Sequence, residues 1–335
     1  MSRSRRFALV TGLSAVALAG LLFAGVNTGS VKIPLPELLG ILFAEGGEGT
    51  AREVVWLIRL PRLAMAALLG GALALSGFLL QTYFGNPIAG PFVLGISSGA
   101  KLAVTLVMIG LLERVGRVSS LSLVAAAFLG SLLATAAVLL MARRMRSMSS
   151  LLVAGIMIGY LCSAVTDFCI TFADEADIVS LHGWSLGSFA GMDWEGVAIA
   201  FWLVTLTTAA VMTLAKPIAA LRLGEEYAAG VGVPVRQLRT ALILLSSLLS
   251  ACVTAFAGPV SFVGIAVPQL ARQALGSSEP RYAMPTTFLL GSVFCCLADL
   301  IARTAFSPTE LNLSTVTAVL GAPVVIAMML KRRER

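Results

Sequence analysis

The chain is a succession of long apolar runs broken by short polar links rich in Gly, Pro and charge. A helix needs about 20 mostly apolar residues to cross ~30 Å of hydrocarbon. Ten runs approach that length, near 7–26, 60–82, 91–112, 119–142, 150–172, 194–215, 239–257, 259–275, 282–304 and 311–330. The eighth is short and interrupted by Gly264 and Pro268. The pattern predicts an all-α polytopic membrane protein with about ten transmembrane helices, residues 1–335 forming one bundle.

Composition excludes the soluble classes. Hydrophobic residues make up 58% of the chain, charged residues 12%, and mean hydropathy is +0.94, whereas soluble domains carry about 25% charge. The net charge of +7 would suit nucleic acid, but its distribution argues for topology instead. Cytoplasmic loops collect Lys and Arg. Arg3, Arg5 and Arg6 precede the first run, Arg143, Arg144 and Arg146 follow the fourth, Lys216, Arg222, Arg236 and Arg239 follow the sixth, and Lys331, Arg332, Arg333 and Arg335 end the chain. With ten spans all four groups fall on one face, which makes it cytoplasmic and places both termini there. The other face is acidic, with Glu37, Glu45, Glu48, Glu53, Asp174, Glu175, Asp177, Asp193, Glu195 and Glu310. The basic start also fits a signal or twin-arginine peptide; removing it would split the basic loops between faces, so the first run is read as a retained span. The five cysteines lie in apolar runs and read as small packing residues.

Gly and Pro interrupt the pattern at Asn86-Pro87 and between Gly264 and Pro268. Broken helices free backbone polar groups that lipid cannot satisfy, so such breaks belong inside a bundle or beside a water-filled path. Ala89-Gly90-Pro91-Phe92-Val93-Leu94-Gly95-Ile96 matches Ala257-Gly258-Pro259-Val260-Ser261-Phe262-Val263-Gly264-Ile265 half a chain later. In the ten-span topology the two lie near opposite faces, the arrangement an inverted repeat produces. Lys101, Asp167 and Asp299 are ionisable residues within spans and so functional candidates. Asp299 and Arg303 are spaced for an i,i+4 pair. Lys101 and Asp167 either line a path or lie nearer an interface than the run boundaries suggest.

Several segments together resemble the FecCD family of ABC permeases: Arg59-Leu60-Pro61-Arg62; Ala72-Leu73-Ala74-Leu75-Ser76-Gly77 with Gln81; Asn86-Pro87-Ile88-Ala89; Leu94-Gly95-Ile96-Ser97-Ser98-Gly99-Ala100; Leu223-Gly224-Glu225-Glu226 with Gly230-Val231-Gly232; Ala257-Gly258-Pro259 with Phe262-Val263-Gly264; Ala298-Asp299-Leu300-Ile301-Ala302-Arg303; and Pro308-Thr309-Glu310-Leu311. Their order and spacing carry the resemblance over about residues 55–330. It departs at Gln269, where the family usually has His, and at Lys101, where a small or apolar residue is commoner.

The resemblance implies a type II ABC importer permease in the cytoplasmic membrane of a prokaryote, carrying a ferric siderophore first of all, with haem and cobalamin as the other substrates. It implies a second permease subunit, identical or related, two ATP-binding subunits and a substrate-binding protein. No Gly-x-x-x-x-Gly-Lys-Ser/Thr phosphate loop occurs, so the chain is read as a non-enzymatic transport subunit with no cofactor of its own, ATP being used by the partner.

Residues 216–239 are the expected coupling segment. Glu225 and Glu226 mix with Tyr227, Ala228, Ala229 and Val231 and stop at Gly232-Val233-Pro234, the pattern of a short amphipathic helix with a Gly/Pro terminator. Leu223, Gly224, Glu225, Glu226, Ala229, Gly230, Val231 and Gly232 are assigned to ATPase contact; the plain alternative is a solvated loop. Arg59, Arg62 and Arg303 break the positive-inside trend at the outer ends of their spans. Charge complementarity with a binding protein would explain them, as would snorkelling to headgroups. Asn86, Pro87, Lys101, Met157, Tyr160, Phe168 and Gln269 are assigned to the translocation path, with core packing the alternative for the three on the fifth run. His182, near Trp184, reads as a loop histidine rather than a haem ligand. The rival functions are an ion-coupled secondary transporter, which would need no docking segment, and a membrane enzyme, for which no catalytic cluster is visible. No residue set suggests a metal site.

Overall fold

The computed structural model describes residues 3–29, 33–43, 49–115, 120–142, 144–145 and 148–333. Of the charges used above for orientation, Glu45, Glu48, Arg143, Arg146 and Arg335 lie outside the described residues, as do the side chains of Lys331, Arg332 and Arg333. The side chains of Phe92 and Val93 in the repeated motif are likewise outside them.

The described chain is helical. Its helices in order are α1 (Arg3–Asn27), α2 (Leu35–Phe43), α3 (Thr50–Glu53), α4 (Leu60–Phe84), α5 (Ile96–Val115), α6 (Ser120–Ala142), α7 (Met148–Ile170), α8 (Glu175–Ser185), α9 (Trp194–Thr213), α10 (Ala215–Leu221), α11 (Glu225–Gly230), α12 (Val235–Ala257), α13 (Val263–Leu275), α14 (Pro280–Thr304) and α15 (Leu313–Arg333). A π-helical turn, Val54–Arg59, leads into α4, and a 3-10 turn, Pro91–Leu94, precedes α5. The ends follow local chemistry. Gly85 closes α4 and Gly276 closes α13, each in the left-handed conformation, where glycine meets no Cβ penalty. The Asp193 carboxylate accepts from the Gly196 N–H at 2.7 Å and caps α9.

Helix α4 is the axis of the bundle. Nearly all its residues from Pro61 to Phe84 are buried, and α9, α12, α13 and α14 pack around it. Lipid gives no hydrophobic push between helices, so close backbone contact must hold such a bundle. Glycines supply it. A Cβ on Gly70 would sit 2.6 Å from the Gly291 carbonyl oxygen, and one on Gly77 would sit 1.8 Å from the Gly264 oxygen. Nearby, Ser76 and Ser246 exchange hydroxyl and carbonyl bonds at 2.8–3.0 Å between α4 and α12.

Contacts between links sort the chain into two ends. At one, Arg6 donates to the carbonyls of Ala274 and Gln273, Arg3 faces Glu279, and Arg222 bonds the Ser278 carbonyl. At the other, Arg62 meets Asp299 and Glu310, and the Trp194 indole donates to the Trp56 carbonyl. Arg3, Arg6 and Arg222 thus share the first end, and Glu310 lies at the second.

The sequence reading expects about ten spans. Among the described residues, eight helices are long and apolar enough to cross a membrane. The third and eighth runs begin with segments that are not α-helical. Residues 91–95 are a 3-10 turn and a left-handed Gly95, so the third run is α-helical only from Ile96. Residues 259–262 are not helical: Gly258 has φ 70° and Phe262 φ 63°. The 13 residues of α13, at ~1.5 Å each, reach only about 20 Å. The two matching Gly-Pro segments open these two breaks, and the breaks touch: a Cβ on Gly264 would lie 3.0 Å from Pro91, and one on Gly90 2.9 Å from Ile265.

Candidate transport and coupling sites

The break before α13 exposes backbone groups, and neighbouring links take them up. Ser188 N–H donates to the Ala257 carbonyl at 2.9 Å, and the Ser314 hydroxyl donates to the Pro259 carbonyl at 2.6 Å. The break after α4 is satisfied differently. The Asn86 side chain accepts from Ile88 N–H at 3.1 Å, capping its own turn, while the Pro87 carbonyl accepts from the Gln269 amide at 3.2 Å. Gln269 also donates to the Gln81 Oε1 at 3.1 Å, and Gln81 donates to the Ile265 carbonyl at 3.1 Å. Arg272 joins both glutamines and lies over the Phe78 ring at 5.6 Å. The structure brings together Asn86, Pro87 and Gln269, which the sequence reading assigned to the path, and joins to them Gln81 and Arg272, which it did not. Arg272, an ionisable residue inside an apolar run, was itself the available signal. A histidine at 269 would offer a ring nitrogen where Gln269 offers an amide; this chain holds its break with a neutral donor that serves two acceptors.

Met157, Tyr160 and Phe168 are not among the residues bonded in this network. All three are exposed on α7, Tyr160 by 68%, so they do not pack inside this chain. Asp167 is exposed on the same helix, three residues before its end, and Lys101 is half-buried in the second turn of α5.

The segment expected to couple to an ATPase folds as two short helices, α10 and α11, before the start of α12. Glu225 and Glu226 occupy the first turn of α11, where carboxylates favour the exposed N–H groups, and Gly232 at φ 84° ends it before Pro234. Only Ala228 of this helix is buried. Leu223, Tyr227 and Val231, spaced i, i+4, i+8, are exposed by 70, 52 and 56% and so form an apolar stripe left open by the described residues. Glu225 pairs with Arg239 of α12, and Arg239 lies 5.8 Å from the Tyr83 ring at the end of α4.

At the opposite end Arg59, Arg62 and Arg303 converge, but inward. Arg59 is 4% exposed and donates to the Val26 carbonyl at 2.6 Å. Arg62, 8% exposed, donates to Asp299 at 2.9 Å and to both Glu310 oxygens at 3.1 and 3.0 Å. Arg303 donates to the Gly25 and Thr28 carbonyls at 2.8 and 3.1 Å and lies 3.5 Å from Asp299. The expected i,i+4 pair is present, with Arg62 as the nearer partner of the same carboxylate. These guanidiniums tie the C-terminal end of α1, whose last carbonyls lack intrahelical donors, to α4 and α14. Their placement gives no support to a docking surface made of the three arginines.

Comparison with known proteins agrees in family and in fold. The model of the FecCD transport family matches residues 17–331. The vitamin B12 import system permease BtuC of Klebsiella pneumoniae is 36% identical over 333 residues, covering 99% of this chain and 96% of that protein. The BtuC proteins of Citrobacter koseri and Vibrio cholerae are each 37% identical, over 83% and 84% of both chains respectively. Among solved structures, a metal-chelate type ABC transporter in an inward-facing conformation superposes with a TM-score of 0.85 at 28% identity, covering 96% of this chain and 99% of that one. The PsaBC complex of Streptococcus pneumoniae shares the fold at a TM-score of 0.55 and 14% identity, over 79% of this chain and 89% of that one. By its matched length, its shared identity and its fold, the chain belongs to the FecCD transport family and is a membrane permease of an ABC importer.

Proposed function

We propose that this permease carries a large metal chelate across a prokaryotic cytoplasmic membrane by ATP-driven alternating access. The unburied stripe of Leu223, Tyr227 and Val231 carries the reading: a short helix with an outward apolar face needs a partner surface, and an ATP-binding subunit is the partner an ABC permease requires. The vitamin B12 named for the relatives favours a corrinoid over the siderophore expected from sequence; the metal-chelate transporter of similar fold keeps iron chelates as the second reading. Two permease subunits enclose the path, and the exposed face of α7 with Met157, Tyr160, Asp167 and Phe168 lines it, because a carboxylate facing lipid would be costly. A binding protein delivers the chelate at the acidic end. The α4 and α13 breaks, latched by Gln81, Gln269 and Arg272, are where the bundle can change its packing.

The chain crosses the membrane ten times in this reading, α5 with its preceding turn and α13 with its non-helical entry completing the eight long helices. Both termini and the coupling segment are then cytoplasmic. A cysteine placed at Glu226 should react with an impermeant maleimide only in inverted vesicles, and one at Asp174 only in intact cells; the reverse pattern contradicts the orientation.

Glu226→Arg, or two residues inserted after Gly230, should leave the bundle folded and abolish stimulation of the ATPase by loaded binding protein. Size exclusion and thermal unfolding check the fold, and ATP turnover in nanodiscs checks the coupling. Normal stimulation in both variants would make the segment an ordinary loop.

A further inference from the structure

A cleft of about 1040 Å³ opens at the basic end of the bundle, between the start of α12 and the ends of α4 and α6. The walls differ in character with depth. Leu139 of α6 and Ile243 and Leu244 of α12 form an apolar side, continuous with Leu140, which is exposed on the bundle surface. Toward the end of the helices the lining becomes Tyr83, Arg236, Gln237, Arg239 and Thr240.

The charge on the cleft is positive and incompletely answered. Glu225, its acidic lining residue, already bonds Arg239. The Nε of Arg239 is buried without a hydrogen-bond partner in the structure. Arg236 is exposed and has no ion pair among the described residues. Ala142 and Met145, which border the cleft, belong to a stretch that carries Arg143, Arg144 and Arg146 in sequence.

We propose that this cleft is a binding site for an anionic phospholipid of the cytoplasmic leaflet, its phosphate at Arg236 and Arg239 and its first acyl carbons along Leu139 and Leu244. Basic pockets between membrane helices on this side select acidic headgroups. A soluble anion would use the arginines but leave the apolar wall uncovered, and a neutral lipid would cover the wall but leave the arginines unanswered; an acidic lipid does both. The site rests on the cytoplasmic orientation proposed above. Because Arg239 also holds Glu225 of the coupling segment, a lipid here touches the same side chain that anchors the expected ATPase contact.

The test is native mass spectrometry of the assembled transporter, delipidated and then offered phosphatidylglycerol or phosphatidylcholine. Each arginine near the surface contributes about a fivefold preference, so the wild type should retain the acidic lipid by roughly thirtyfold. Arg236→Gln should lower that preference about fivefold, and Arg236→Lys should keep it. Excess inorganic phosphate should not displace the lipid. Equal retention of both lipids, an unchanged preference in Arg236→Gln, or displacement by phosphate overturns the proposal. A cysteine at Gln237 separates the causes of failure: labelling from outside means that the orientation is wrong, whereas cytoplasmic labelling without lipid preference means that the lipid site alone is wrong.

Discussion

Gly77→Val should prevent the bundle from closing. Helices α4 and α13 meet backbone to backbone at this residue: a Cβ here would lie 1.8 Å from the Gly264 oxygen and 2.5 Å from its carbonyl carbon. Neither atom is the free end of a flexible side chain, so one helix has to move. Ordinary overpacking costs about 1–3 kcal/mol, and a shift of the central helix should cost at least the upper figure. The same shift would pull Gln81 from the Ile265 carbonyl and open the polar latch on the breaks. In detergent the unfolding midpoint should fall by roughly 10 °C or the protein should fail to accumulate. Gly12→Ala is the control, because nothing lies within 4 Å of its added carbon; it should melt as the wild type does. Normal melting of Gly77→Val would show that the α4–α13 approach is looser than described.

Asp299→Ala should be nearly as damaging, for an electrostatic reason. The Asp299 carboxylate is 2% exposed and answers two guanidiniums, Arg62 at 2.9 Å and Arg303 at 3.5 Å. Removing one member of a buried ion pair costs about 3–5 kcal/mol, because the remaining charge is left in a poor solvent. Glu310 bonds the same Arg62 but is 48% exposed, so Glu310→Gln should cost about 1 kcal/mol or less. Replacing Arg62, Asp299 and Arg303 together by Met, Leu and Met should recover much of the loss, since matched apolar groups often equal a buried pair. Thermal unfolding of the four proteins decides the point. The same series separates a structural cluster from a docking surface. A docking surface would leave Asp299→Ala folded and change only association with the binding protein.

The helices were legible because hydrocarbon thickness sets a length that the sequence must meet. The half-length of α13 was not, since Pro259, Val260 and Phe262 are apolar whether or not they are helical, and hydropathy cannot see a backbone break. Gly264 and Pro268 marked the region without locating the break. The short helix α11 showed in its mixture of carboxylates and apolar residues before Gly232 and Pro234. The arginine cluster was read as a set of exceptions to a topology rule, and the structure turns its guanidiniums onto carbonyls and carboxylates of this chain. Its partners lie 237 and 248 residues from Arg62 along the chain, beyond what local pattern can join. Arg272 escaped because it sits near the end of an apolar run, where a basic residue looks like an ordinary flank.

The most direct test of the account is uptake into proteoliposomes holding this permease with its ATPase, loaded with ATP, and offered radiolabelled cobalamin or ferric siderophore on its cognate binding protein. The account predicts accumulation that requires hydrolysable ATP, requires the binding protein, is lost in Glu226→Arg, and is indifferent to a proton or sodium ionophore. Accumulation that persists without ATP and collapses with the ionophore would contradict it.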